Sequence, residues 1–124
     1  MYNHPVNEVK KFMAACGQTV SGYNKEQADL YEKLIMEEYQ EFKDAKGDYG
    51  YRPLDDLDAC GDLVWVIIGY AISMGYDFEG AFKEIARSNM SKIDPKTGKV
   101  LKRADGKILK PETFSEPKLG AYIG

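Results

Sequence analysis

The sequence predicts an all-α body with a C-terminal hairpin or extended arm. Three observations predict it. Apolar residues recur at helical spacing through four segments before residue 91. Proline and glycine punctuate those segments where helices start and stop. Past Ser91 the periodicity disappears and turn residues take over.

Pro5 opens the first helix, in which Val6, Val9, Phe12, Met13 and Cys16 form an apolar stripe and Gly17 is the stop. The second helix runs from about Asn24 to about Ala45, with Asn24 as N-cap and Gln27 three residues on. A loop over Lys46, Gly47, Asp48, Tyr49 and Gly50 follows. Pro53 opens the third helix, Asp55 and Asp56 suit its first turn, and Gly75 ends it after Met74. Asp77 caps the fourth helix, where Ala81, Phe82, Ile85 and Ala86 are expected to pack. Two near-duplicates, Gly98 to Lys102 and Gly106 to Lys110, flank Asp105-Gly106 and read as a hairpin. Pro111 to Gly124 reads as an extended strap against the body or a partner.

The 124 residues suit one domain with a substantial core. Hydrophobic residues at 44% and charged residues at 30% are ordinary for a globular protein. The longest apolar run, Leu63 to Met74, is too short to span a bilayer. Met1 to Pro5 shows no leader pattern, so the expectation is a cytoplasmic protein (host cytoplasm, if phage-encoded). Cys16 and Cys60 are expected as reduced, buried thiols. Residues 1–91 hold 9 basic and 16 acidic side chains, and residues 92–124 hold 8 and 4. This acidic body with a basic tail lacks the strongly basic face of a nucleic-acid binder. It suits a metal site facing a polyanionic substrate, and equally a tail that docks on a neighbouring acidic subunit.

The second and third helices carry the chemistry. Tyr31, Leu34, Ile35, Phe42 and Ala45 fall within roughly a third of the helix circumference. Glu38 falls inside that arc, Glu41 at its edge and Glu37 just beyond. On the third helix Asp58 and Asp62 share a face with Trp65 and Gly69. A carboxylate aimed at a core needs a partner. Four of them close together need a cation. Oxygen donors without histidine suit Mg²⁺ or Mn²⁺. The competing arrangement answers the acids with lysine or arginine. No basic residue lies between Ile35 and Phe42, or between Pro53 and Met74. Trp65 and Tyr70 read as core, His4 as incidental. Arg87 to Lys92 reads either as a polar helix end or as a phosphate contact through Asn89 and Lys92.

Glu37-Glu38-x-x-Glu41, followed by an acid pair ending in Asp62, resembles the metal motif of the all-α nucleoside triphosphate pyrophosphohydrolases. This is the superfamily of MazG and the phosphoribosyl-ATP pyrophosphohydrolases. Ser88-Asn89-Met90-Ser91-Lys92 and the lysine-rich repeats resemble the latter branch, of bacterial or phage type. Many MazG relatives have Glu at the place of Ala59, whereas here the acid is Asp58, still one helical turn from Asp62.

The resemblance implies a single domain over 1–124, a four-helix MazG-like bundle completed by dimerisation, as a dimer or a dimer of dimers. It implies Mg²⁺-dependent cleavage of a nucleoside triphosphate to monophosphate and pyrophosphate, with two or more ions per site. Glu38, Glu41 and Asp62 would be direct ligands and Asp58 would complete the set, directly or through water. Glu37 and Glu38 would be the catalytic pair, with Glu37 as general base or as ligand to a second ion. Asn89, Lys92, Lys107 and Lys110 would hold the triphosphate. The expected substrate is a purine deoxynucleotide, dGTP first, with phosphoribosyl-ATP or dUTP as alternatives. A non-catalytic helical binding module is the alternative outside the enzymes.

Overall fold

The computed structural model describes residues 4–47 and 50–124. Residues 1–3 and the loop residues Asp48 and Tyr49, read above for a leader and a turn, lie outside the described residues. The chain divides into two compact units, one running up to Phe78 and the other from Glu79 to Ile123.

The first unit holds α1 (Pro5–Ala15), α2 (Lys25–Asp44) and α3 (Pro53–Ser73). Pro5 and Pro53 each stand at the start of a helix, where the missing N–H costs nothing. His4, expected to be incidental, caps α1: its Nδ1 accepts from the Val6 N–H at 3.1 Å. Asn24 caps α2, its side chain accepting from the Gln27 N–H at 3.1 Å. Gly75 follows α3 at φ 80°, and a Cβ there would meet the Tyr23 nitrogen at 3.1 Å.

Val6, Val9, Met13, Tyr31, Val66, Ile68 and Ile72 form the core, so the α1 stripe and the α2 arc face inward as expected. Four side chains do not follow the expectation. Phe12 is 54% exposed and lays its ring edge-on to Trp65, at 5.6 Å between centroids. Trp65 is itself on the surface side of α3. Cys16 and Cys60 are exposed free thiols rather than buried ones. Cys16 is the C-cap of α1, and Cys60 is turned about 100° from the buried Ala59 beside it.

α2 and α3 run antiparallel in a single register. The Gln27 Nε2 donates to Ser73 Oγ at 2.8 Å, and that hydroxyl donates to the Gly69 carbonyl at 2.8 Å. One turn further along α2 and one turn back along α3, the Tyr31 ring lies against Gly69. A Cβ there would meet Tyr31 Cε1 at 2.2 Å. Glycine is therefore the residue that lets the ring in, and the Tyr31 hydroxyl, donating to Gln18 Oε1 at 2.7 Å, fixes it there. Seven residues on from Tyr31 stands Glu38, and seven back from Gly69 stands Asp62. The same seam that is apolar at one end thus delivers opposing acids at the other.

The second unit opens with α4 (Phe78–Met90). Of the four residues expected to pack, Ala81, Ile85 and Ala86 are half-buried, but Phe82 is 52% exposed. The apolar spacing marks a face without saying that this chain covers it. The expected hairpin is present as β2 (Lys99–Lys102) and β3 (Ile108–Leu109), pairing Leu101 with Leu109 and Lys102 with Ile108. A further strand, β1 (Ile93–Asp94), pairs antiparallel with β2 and makes a three-stranded sheet of order β1-β2-β3. The strap after Pro111 is tied to α4 and the residue that follows it. Ser115 N–H donates to Ser91 Oγ at 2.9 Å, Arg87 donates to the Glu116 carbonyl at 3.0 Å, and Lys118 N–H donates to Glu84 at 2.7 Å. Arg87, and then the Lys118 N–H, hold the Glu84 carboxyl down at about 2.

Candidate metal centre

Glu38 and Glu41 come from neighbouring turns of α2, and Asp62 comes from the facing turn of α3. Each offers a carboxylate oxygen, and these three oxygens lie within 4.8 Å of one another. Glu38 and Asp62 are half-buried and Glu41 is exposed, so the group sits at the rim of the seam rather than inside it. Among the described residues none of the three forms an ion pair with lysine or arginine. The basic side chains nearby are engaged elsewhere: Lys46 pairs with Asp56 and lies over the Phe42 ring, and Arg52 pairs with Asp55.

The electrostatics follow from that arrangement. The Glu38 Oε2 is buried and has no hydrogen-bond partner. Burial, then contact with the Glu41 carboxyl, then the charges of Glu41, Asp62 and Asp58 push Glu38 up to about 7. Burial and the charges of Asp58 and Glu41 also raise Asp62. An orphaned buried carboxylate oxygen beside two further carboxylates is a costly arrangement without a positive charge. An all-oxygen donor set of this spacing fits a hard divalent cation. The residues present therefore pass the test for such an ion.

Asp58 stands outside the three-oxygen cluster but close enough to act on both Glu38 and Asp62. Glu37 is exposed and also outside it. Beside the cluster lies an open cavity of about 300 Å³ lined by Glu41, Asp44, Arg52, Asp55, Asp58 and Ala59. Arg52 is the cation in that lining. It donates to the Asp44 carbonyl at 2.7 Å, which closes the C-terminal end of α2. Sequence reasoning passed over Arg52, whose only signal is an arginine directly before Pro53 in an acidic stretch. The four expected phosphate-binding residues fall in the second unit. Lys92 and Asn89 are joined, Nζ to Oδ1, at 3.1 Å, and Lys92 and Lys110 both lie over the Phe114 ring. Lys107 stands apart from them in the β2–β3 turn, where its carbonyl accepts from the Arg103 N–H at 2.8 Å.

The family model described as phosphoribosyl-ATP pyrophosphohydrolase matches residues 6–89. That span takes in α1, both acidic helices and α4 up to Asn89. It stops short of Lys92, the sheet and the strap. No curated protein matches the chain.

Proposed function

The chain belongs to the phosphoribosyl-ATP pyrophosphohydrolase family, and on that premise we propose that it hydrolyses the α–β phosphoanhydride bond of a nucleotide at the Glu38–Glu41–Asp62 centre, with Mg²⁺, or Mn²⁺ in its place. The observation that carries this reading is the cluster of carboxylate oxygens from Glu38, Glu41 and Asp62 within 4.8 Å of one another, with the Glu38 Oε2 buried and without a hydrogen-bond partner. When bound, the cation supplies neutralisation of the phosphate charge and a water of lowered pKa.

The side chains divide the remaining work. Glu38, Glu41 and Asp62 would hold the ion, and Asp58, one turn before Asp62, would complete or support the set. Glu38, raised to about 7, would hold the ion in its deprotonated form. Glu37 takes the proton of the attacking water. The new bond joins that oxygen to the α-phosphorus and the bridging oxygen to the β-phosphorus leaves, giving monophosphate and pyrophosphate. Arg52, held at the cavity wall by the Asp44 carbonyl and paired with Asp55, would exchange that carboxylate for the substrate's phosphates.

The family match puts phosphoribosyl-ATP first among substrates to test, ahead of dGTP and dUTP. The proposal includes self-association. Leu54, Leu57 and Val64 lie at three- and seven-residue steps along α3 and are 83%, 72% and 54% exposed, a stripe suited to a second copy. Pyrophosphate release is measured with Mg²⁺ across phosphoribosyl-ATP, dNTPs and NTPs, for the native chain and for Glu38→Gln and Asp62→Asn. Release by the native chain and loss of at least about a hundredfold in both variants is expected. Near-native turnover in either variant overturns the site.

A further inference from the structure

We propose that α3 crosses the α3 of a second copy at Gly61, antiparallel, with Leu57 of each copy seated in the α1–α3 groove of the other. Association alone does not say which surfaces meet. Gly61 bears on that question. It stands in the middle of α3 (Pro53–Ser73), where glycine costs more than any residue but proline. A glycine in that position needs a reason in packing. At Gly69 the reason lies within the chain, since the Tyr31 ring fills the space that a Cβ would take. At Gly61 nothing lies within 4 Å of that space. Nothing in the chain uses the room left there, and a glycine lets another backbone come close.

The surroundings say what the neighbour is. Leu54, Leu57, Gly61, Val64 and Ile68 follow at steps of three, four, three and four, the spacing of a seam between two helices. Leu54, Leu57 and Val64 are exposed. Beside them a mostly apolar groove of about 330 Å³ is walled by Pro5, Glu8 and Val9 of α1 and by Val64, Trp65 and Ile68 of α3, with Gly61 in its lining. One surface therefore carries both a projecting side chain and a recess. A patch that holds both halves of a fit is satisfied by a copy of itself, related by a two-fold axis. The offset along the helix fixes the direction. Leu57 lies one turn before Gly61, and the groove lies after it. In a parallel pair Leu57 would meet Leu57 and both grooves would stay empty. In an antiparallel pair with the axis near Gly61, each Leu57 comes opposite Val64 and Trp65 of the other copy. The inference deepens the self-association included in the proposed function and rests on it.

The test is sedimentation equilibrium of the whole chain, native and with Gly61→Leu, Leu57→Ala or Leu30→Ala. The native chain should sediment as two or more copies, and Gly61→Leu at no more than half that mass. Circular dichroism of Gly61→Leu should show native helix content, because within one chain the new side chain meets open space. Leu57→Ala should weaken association at least about tenfold, through the apolar surface it withdraws from the groove. Leu30→Ala, at an exposed leucine of α2, should leave association unchanged. A short bismaleimide should join two chains through Cys60, an exposed thiol next to Gly61; Cys60→Ser should abolish the link and Cys16→Ser should keep it. A Gly61→Leu protein of native mass, a Leu57→Ala loss no larger than that of Leu30→Ala, or a link made through Cys16 overturns the antiparallel crossing and leaves self-association standing. A native chain that sediments at the mass of one copy removes both. If Gly61→Leu loses helix content, Leu57→Ala and the thiol link decide. Pyrophosphate release from the same preparations bears on the acidic centre alone.

Discussion

Replacing Glu38 by glutamine should stabilise the metal-free protein while removing its response to a cation. In the folded chain the Glu38 carboxyl is carried from its ordinary 4.5 to about 7, by burial first and by Glu41, Asp62 and Asp58 after it. At about 1.4 kcal/mol per pKa unit, a displacement of that size corresponds to ~3 kcal/mol. The centre opens onto solvent, and screening reduces this to ~1–2 kcal/mol. The sign follows from proton counting. Between pH 4.5 and 7 the folded state binds a proton that the unfolded state has lost. Stability from this group is therefore full below the unfolded value and falls as pH rises through about 7. At pH 8 in EDTA the wild type carries the whole penalty and Glu38→Gln carries none, so the variant should melt ~3–8 °C higher. At pH 4 the carboxyl is largely protonated in both folded and unfolded chains, and the two proteins should melt together. Adding Mg²⁺ should raise the wild-type melting temperature and barely move the variant. Thermal melts of both proteins at the two pH values, with and without Mg²⁺, measure all of this. A variant that is less stable than wild type at pH 8, or a difference that does not change with pH, refutes the placement of a half-buried carboxyl crowded by other acids at this position.

Three further outcomes test the frame around the centre. Gly69→Ala places a methyl group inside the Tyr31 ring, 2.2 Å from Cε1, and overpacking of that kind costs ~1–3 kcal/mol in urea unfolding. Arg52→Gln should raise KM about tenfold with kcat nearly unchanged, and Arg52→Lys should recover part of the loss, in steady-state assays of pyrophosphate release. Leu57→Glu, on the exposed α3 stripe, should lower the sedimenting mass to that of one chain; an unchanged mass would remove that stripe from the interface.

Local chemistry was legible, and tertiary fit was not. Pro5, Asn24, Pro53 and Gly75 act on their own neighbours, through a missing N–H, a capping oxygen or a positive φ. Each could therefore be read in isolation, and each marks an observed boundary. The inward aim of Glu38 was legible for the same reason, since its angle within the α2 arc is a property of one helix. Which acid meets which depends on seating the Tyr31 ring against Gly69, a matter of shape between two helices. β1 escaped notice because two residues carry no alternation. Cys16, Cys60, Phe12, Trp65 and Phe82 were expected inside because apolar spacing reports a face and not whether anything covers it. The placing of Phe114 gave no signal at all, since it arises from a strap folded back onto Ser91.

The register of α2 against α3 ties stability to chemistry in one direction. Gln27 to Ser73 and Tyr31 to Gly69 are satisfied contacts, hydrogen-bonded or close-packed, and they need nothing from outside the chain. Two turns further along, the same seam brings Glu38 to Asp62, and among the described residues no lysine or arginine pairs with that charge. If the acids were instead a structural device, lysine or arginine would be expected across the seam, as Lys46 stands across from Asp56 a few residues away. Among the described residues Lys46 and Arg52, at the α2–α3 loop, pair with Asp56 and Asp55, and no cation pairs with Glu38, Glu41 or Asp62. The packed end of the seam therefore holds the acidic end in a geometry that it would not adopt alone. A substitution that loosens Tyr31 against Gly69 should lower the stability gained from Mg²⁺ as well as the stability of the bundle. The two losses should appear together in the Gly69→Ala protein when it is melted with and without the ion.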